Sequence, residues 1–139
     1  MERTATCHCG ALSVKTLGEP ERVMMCHCAS CQRRTGTSYN LGAWFPDSDV
    51  KITGEAKVYA RTGDTNSLIE FHFCPNCGSN VYWRAPTIQP GKIGVAVGCF
   101  AEPEFPAPSV SLYAKHRHNW LSIPSGVPSF IGGRNSEQE

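Results

Sequence analysis

The sequence lacks a long apolar run, an excess of charge of either sign and any low-complexity segment. No stretch approaches the roughly 18 apolar residues of a membrane span, and the N-terminal residues contain no apolar signal-peptide core. Its 13 basic and 12 acidic residues balance to a net charge of +1. The basic residues are scattered, which argues against a nucleic-acid or membrane partner. We therefore expect a cytoplasmic protein; the composition leaves its oligomeric state open.

Internal repeats are also absent from the 139 residues, so the simplest organisation is one domain. A chain of this length can bury a real hydrophobic core, and metal need not supply all of its stability. The last residues are glycine-rich and then polar, which is typical of a frayed end. We expect a single domain over 1–130 and a flexible C-terminal tail over 131–139.

Short apolar runs, broken by glycine, proline and aspartate, predict a mostly antiparallel all-β domain with little helix. The predicted strands are 11–15, 37–45, 50–53, 57–61, 68–73, 81–84 and 93–99. Gly54-Glu55 fits a hairpin turn between two of them, and the only predicted helical turn lies at 30–35. Residues 111–121 fit either a strand or a short helix.

Seven of the eight cysteines fall into three tight clusters, and the eighth, Cys99, stands alone. The clusters are Cys7 and Cys9, then Cys26, Cys28 and Cys31, then Cys74 and Cys77. Cysteines one or two residues apart are poorly placed for disulfides, whereas zinc takes such short pairs as two corners of a tetrahedron. A secreted disulfide scaffold is the other interpretation, but the domain is large for one and thiols of the cytoplasm stay reduced.

The first and third clusters share an ending, because Cys9 precedes Gly10 and Cys77 precedes Gly78. One such knuckle supplies two ligands, so a second pair must complete the site. Pairing Cys7 and Cys9 with Cys74 and Cys77 predicts a closed zinc site of four thiolates. A closed coordination shell is typical of a structural zinc.

Cys26, Cys28 and Cys31 remain, and three thiolates leave a fourth zinc position for water or substrate, which is the mark of a catalytic zinc. Such a site exchanges metal more readily than a closed one. Two alternatives stay open: a redox thiol centre that holds zinc weakly or not at all, and a fourth ligand from the protein. The candidates for that ligand are Cys99, His27, His72, His116 and His118. Cys99 shares strand parity with Val95 and Val97, so we expect it to point into the core.

The order of these motifs resembles the glutathione-dependent formaldehyde-activating enzyme family, which also includes centromere protein V. The resemblance runs from about Thr4 to Trp120. It is carried by the following segments: 7–10, 26–36, 73–78, 97–100 and 118–120. It implies a β-tent of packed antiparallel sheets, one closed zinc held by the first and third clusters and a second zinc held by the middle triplet. It also implies condensation of formaldehyde with glutathione to S-hydroxymethylglutathione.

These expectations combine into a zinc-dependent carbon–sulfur lyase that binds two zinc ions per chain, a small thiol such as glutathione and a small aldehyde. Cys26, Cys28 and Cys31 would be its catalytic residues. Arg33 and Arg34 follow the triplet directly and could pair with substrate carboxylates, or they could be ordinary surface charges. His27 could shuttle a proton, or it could face solvent without a role.

The alternative function is a non-catalytic module in which both zincs are structural and the domain mediates protein interaction. Trp44, Trp83 and Trp120 are the aromatic side chains that such a module could expose. Their positions in strands and at loop edges favour core packing instead.

Overall fold

A computed structural model describes residues 1–139. The chain forms ten strands and one α-helix. In chain order they are β1 (Glu2–Thr6), β2 (Ser13–Leu17), β3 (Arg22–Cys26), α1 (Ala29–Thr35), β4 (Asn40–Pro46), β5 (Val50–Thr53), β6 (Lys57–Thr62), β7 (Leu68–Phe73), β8 (Asn80–Arg84), β9 (Lys92–Ala96) and β10 (Val110–Leu112). Short 3-10 turns lie at Asp47–Asp49, Val97–Phe100 and Ala114–His116. The all-β expectation with little helix is confirmed, since α1 has only seven residues.

The expected hairpin at Gly54 is wrong, because β5 and β6 do not pair with each other. Strand β5 pairs antiparallel with β2, and β6 pairs antiparallel with β7. At Gly54, whose φ is 101°, a Cβ would lie 2.0 Å from the Ala11 carbonyl oxygen. The glycine is therefore required by this close approach of two backbone segments. A turn motif shows that the chain changes direction there, but not which strand it then joins.

The chain divides into two compact units, one of Met1–Glu21 with Ala43–Phe105 and one of Arg22–Gly42 with Pro106–Glu139. The single domain over 1–130 and the flexible tail over 131–139 stay predictions. In the structure this last segment makes hydrogen bonds, including that from the Glu139 amide to the Ser129 carbonyl at 2.7 Å.

In the first unit β1, β2 and β5 pair antiparallel, as do β6, β7, β8 and β9. Strands β1, β2 and β5 form one sheet, and the order β4-β9-β8-β7-β6 holds in the other. Trp83 on β8 lies in its core, with ring centroids 6.4 Å from Trp44 and 6.3 Å from Phe71. Its cross-strand partner on β9 is Gly94, where a Cβ would lie 2.1 Å from the Trp83 indole nitrogen. Glycine at this position gives the large ring room to lie across the sheet.

The second unit contains β3 and β10, which pair in parallel so that Cys26 lies opposite Leu112. Helix α1 follows β3 after two residues and ends at Gly36, whose φ of 68° is the left-handed conformation that favours glycine. The predicted helical turn at 30–35 is thus confirmed. Ser111 on β10 forms a second parallel bridge, to Ser129.

The predicted strand over 93–99 is wrong beyond Ala96, where β9 ends and the 3-10 turn begins. Period-two parity no longer applies to Cys99, which is half-buried, while its neighbour Phe100 points into the core. The turn ends at Ala101, which has a φ of 49°. The helices of the structure are all too short or too polar to cross a membrane.

Candidate metal centres

Four cysteine sulfurs from distant parts of the first unit lie together, those of Cys7, Cys9, Cys74 and Cys77. All four Sγ atoms are within 4.8 Å of one another. The Cys9 sulfur lies 3.6 Å from that of Cys7 and 3.6 Å from that of Cys74. Sulfurs about 2.3 Å from a central zinc in a tetrahedron are about 3.8 Å apart, whereas a disulfide bond is only about 2.05 Å long. The spacing fits a metal site, and all eight cysteines are free thiols.

The two loops that carry these sulfurs are folded in similar ways. In the first, the Cys7 amide donates to the Leu12 carbonyl at 2.9 Å, and the Leu12 amide donates to the Cys7 sulfur at 3.2 Å. In the second, the Cys74 amide donates to the Ser79 carbonyl at 2.9 Å. Gly78 turns this loop back with a φ of 80°, a conformation that side chains disfavour. Each loop therefore directs its sulfurs inward through its own backbone.

Hydrogen bonds favour the thiolate form at the two outer sulfurs of this cluster. The Ser79 hydroxyl lies 3.3 Å from the Cys77 sulfur and, together with the Ser79 amide, lowers the pKa of Cys77 to about 5. The Asn76 side chain and the Ala11 amide lower the pKa of Cys9. Zinc binds cysteine as the thiolate, so this environment is prepared for a cation.

The second cluster lies in the second unit, where β3 gives way to α1. Cys26 is the last residue of β3, Cys28 is the N-cap of α1, and Cys31 lies buried in its first turn. The Cys28 sulfur accepts a hydrogen bond from the Cys31 amide at 3.3 Å. The three Sγ atoms lie within 4.8 Å of one another, and this group contains no histidine or carboxylate.

Electrostatics at this second cluster oppose three bare thiolates. The sulfurs of Cys28 and Cys31, together with burial, raise the pKa of Cys26. The pKa of Cys31 is raised to about 11; the hydrogen bond with Cys26 lowers it, but the Cys28 sulfur and burial raise it by more. A dication among the sulfurs would remove this repulsion, because metal-bound thiols are deprotonated. The donor set therefore fits a thiophilic metal such as zinc.

Other residues proposed from the sequence lie in varied settings. Arg34 donates to the Asn40 side-chain oxygen at 3.0 Å, and its charge lowers the pKa of Cys31, whereas Arg33 is exposed. Cys99 belongs to neither sulfur group, and burial raises its pKa to about 11. None of the five histidines belongs to a group either.

Sequence reasoning missed two features around the clusters. The first is Ser79, whose hydroxyl contacts the Cys77 sulfur. It could have been suspected because it directly follows Cys77-Gly78. The second is the environment of His27, which is 0% exposed and whose Nε2 lies 3.0 Å from the Ser111 hydroxyl oxygen. The expectation that His27 faces solvent is wrong. No local pattern in the sequence links residues 27 and 111.

Comparisons with known proteins identify similar sequences and one similar structure. A family model described as glutathione-dependent formaldehyde-activating enzyme matches residues 2–116, which include both cysteine clusters. A crystal structure of a Rhodobacter sphaeroides protein is 27% identical in sequence. That alignment covers 69% of this chain and 85% of the other, with a TM-score of 0.53.

Proposed function

The chain belongs to the glutathione-dependent formaldehyde-activating enzyme family, and from this premise we propose that it joins a small aldehyde to a thiol. The proposed reaction adds formaldehyde to glutathione and gives S-hydroxymethylglutathione or a related adduct. The sulfur–carbon bond forms as the carbonyl π bond breaks, and the thiol proton ends on the new hydroxyl. The protein would then be a carbon–sulfur lyase by class.

One observation carries the proposal: Cys26, Cys28 and Cys31 converge into a group of three sulfur donors. Zinc is commonly four-coordinate, and sites with three protein ligands keep a position for water or substrate. Zinc at this cluster would deprotonate an incoming thiol and so supply the nucleophile. Cys26 and Cys28 are residues of intermediate exposure, whereas Cys31 is buried in the helix.

Arg33 and Arg34 are the proposed binding groups for the carboxylates of a glutathione-like substrate. Both lie in the last turn of α1, the helix that carries Cys31. Arg33 is exposed, and Arg34 is close enough to Cys31 for its charge to lower that thiol's pKa. Guanidinium groups bind carboxylates through paired hydrogen bonds. Helix α1 would thus place the substrate's charged groups relative to the sulfur cluster.

Cys7, Cys9, Cys74 and Cys77 would hold the second zinc of the chain, as a structural ion. Their four Sγ atoms lie within 4.8 Å of one another and come from two loops far apart in sequence, which supports a closed four-thiolate site. We also propose the cytoplasm as the location of the protein, because a reducing compartment suits eight free cysteines.

Cobalt substitution tests the proposed thiol site directly. Protein loaded with two equivalents of cobalt(II) should change its visible absorption when glutathione is added, because a substrate thiol joins the three-sulfur cluster. Cys28→Ser should abolish that change and the acceleration of adduct formation followed by NMR. Cys99→Ser is the matched control, since it alters a half-buried cysteine outside both groups. An unchanged spectrum in the fully loaded wild-type protein would refute the proposal.

The arginine assignment has its own test, which compares charged and neutral thiols. Losing a charge-assisted hydrogen bond costs about 1.5–3 kcal/mol, so Arg33→Gln and Arg34→Gln should each raise KM for glutathione by about 10- to 100-fold. KM for 2-mercaptoethanol, which has no carboxylate, should stay unchanged. Equal effects on both thiols would show that the arginines support the structure of α1 instead.

A second candidate function is a protein-interaction module with two structural zincs, and Trp120 is the observation that favours it. Trp44 and Trp83 are buried in the core, as expected, but Trp120 is 73% exposed and stacks on His118 with ring centroids 5.1 Å apart. An exposed tryptophan is a common contact residue of interfaces. In this case neither glutathione nor formaldehyde would alter the cobalt spectrum.

A further inference from the structure

A chain of buried polar side chains leads from the second cysteine cluster to the C-terminal segment. His27 is 0% exposed, and its Nε2 lies 3.0 Å from the Ser111 hydroxyl. The Ser129 hydroxyl donates to that of Ser111 at 3.2 Å, and both serines are buried. Burying an imidazole is costly unless it is hydrogen-bonded, and the Ser111 hydroxyl offsets part of this cost at Nε2, while Nδ1 is buried without a partner.

The backbone of His27 is held on both sides as well. Its amide donates to the Leu112 carbonyl at 3.0 Å, which continues the pairing of β3 with β10. Its carbonyl accepts a hydrogen bond from the Gln32 side-chain amide at 2.8 Å. The same Gln32 side-chain nitrogen also donates to the His116 carbonyl at 3.0 Å. The ring packs against Tyr39 with centroids 5.5 Å apart. His27 is therefore restrained through its amide, its carbonyl and its ring.

These restraints act between two proposed metal ligands, because Cys26 and Cys28 flank His27 in the chain. Restraining the residue between two ligands restricts the directions of both Cα–Cβ bonds and so the spacing of the two sulfurs. The imidazole itself is not a member of the three-sulfur group. Side chains that orient ligands without touching the metal commonly affect metal affinity strongly.

We infer that His27 is a positioning residue for the three-cysteine cluster, and that Ser111 and Ser129 hold its ring in place. The inference rests on the proposed function, since it takes the cluster to be a metal site. Ser129 lies beyond residues 2–116, the range that the family model matches. The C-terminal segment of this chain thus completes the support of a site formed within the matched part.

The backbone around Ser129 is well placed for this role. The Ser111 amide donates to the Pro128 carbonyl at 2.9 Å, and the Phe130 amide donates to the Ser111 carbonyl at 2.9 Å. These bonds fix the C-terminal segment along β10 on both sides of Ser129. The two hydroxyls meet because the two backbones pair.

The test compares Ser129→Ala and Ser111→Ala with Ser109→Ala in the full chain. Ser109 is the control because it is a serine of the same unit whose hydroxyl also forms a hydrogen bond, donating to the Val23 carbonyl at 3.1 Å. That hydroxyl makes no bond to His27. Each protein is loaded with cobalt(II) and titrated with a chelator. Three-sulfur and four-sulfur cobalt have different visible bands, so the two clusters are followed separately.

Loss of a ligand-orienting contact typically weakens metal binding about 10- to 100-fold. We expect this loss at the three-cysteine cluster in Ser129→Ala and Ser111→Ala, with a shifted d–d band. The four-cysteine step of the same molecule should not change, and Ser109→Ala should match the wild type. Ser129→Ala is decisive if Ser111→Ala fails to fold, because Ser129 is at the far end of the hydrogen-bonded chain.

Three outcomes are distinguishable. Selective weakening with a band shift supports the positioning role. Cobalt binding by both serine variants equal to that of Ser109→Ala overturns it, while leaving the proposed metal site intact. A wild-type protein that binds cobalt only at the four-cysteine cluster removes the proposed function, and with it this inference.

Discussion

The substitution Cys74→Ser gives the sharpest difference between the two clusters. Cys74 is fully buried, and its sulfur lies 3.6 Å from that of Cys9, although 65 residues separate them in the chain. A metal bound here links the loop after β1 to the β7–β8 hairpin. Removing one thiolate should therefore weaken folding and metal binding together, since the site exists only in the folded protein.

The size of the effect follows from zinc energetics. Structural zinc contributes about 10–16 kcal/mol to folding in small peptides at neutral pH, so each of four equal ligands accounts for about 3 kcal/mol. Each kcal/mol shifts Tm by about 4 °C for a chain of 139 residues, which lies between the ranges for small and larger domains, so the expected decrease in Tm is about 12 °C. We expect Cys28→Ser to have a smaller effect, because its three-sulfur cluster joins only nearby residues of β3 and α1.

The assay is thermal unfolding followed by circular dichroism, together with zinc content by mass spectrometry. Cys99→Ser is the control, since it makes the same chemical change in the same unit at a half-buried cysteine outside the cluster. A chelator should lower Tm of the wild type towards that of Cys74→Ser. The reasoning is refuted if Cys74→Ser keeps its full zinc content and a Tm within about 2 °C of the control, a shift worth at most 1 kcal/mol.

Two further predictions concern packing and charge. Gly94→Ala should destabilise the fold by about 1–3 kcal/mol in denaturant unfolding, because its Cβ would overlap the Trp83 ring. Gly98→Ala is the control, since its Cβ would meet no atom within 4 Å and should have little effect. Equal effects of the two substitutions would contradict the packing argument. Glu139 accepts two hydrogen bonds from Arg117, which are the main cause lowering its pKa to about 2. The stabilisation by this pair is therefore complete above about pH 4.5 and is lost as the pH falls towards 2. In an NMR titration from pH 7 to pH 4, Glu139 should stay ionised in the wild type and begin to titrate in Arg117→Gln. An identical titration in both proteins would refute the assignment.

Local patterns in the sequence predicted those elements whose causes are local. Strands β5 and β7 and helix α1 were predicted, because period-two alternation and helical turns depend on neighbouring residues. Strand β1 was missed, although its burial alternates, because threonine and arginine occupy its positions beside a single alanine. Strand β3 was missed as well. Pairing partners depend on residues far along the chain, which is why the hairpin expected at Gly54 does not exist.

The position of Cys99 shows where strand logic fails. Alternation predicted that its side chain shares the face of Val95 and Val97, but the chain leaves the extended conformation after Ala96. A 3-10 turn has a period of about three residues, so it rotates successive side chains out of the strand's two faces. Nothing in the apolar run itself marks that transition.

The sequence by itself identified both clusters as candidate metal sites, because cysteines one or two residues apart can share a metal whatever the surrounding fold. The pairing of Cys7 and Cys9 with Cys74 and Cys77 was also predicted, but only the tertiary structure brings them together, since Cys9 and Cys74 approach through loops of different strands. It also decided that His27 is buried against Ser111, 84 residues away in the chain, and that Ser111 in turn contacts Ser129. Ligand spacing is a local property of the chain, whereas the support of those ligands is a property of the packed fold.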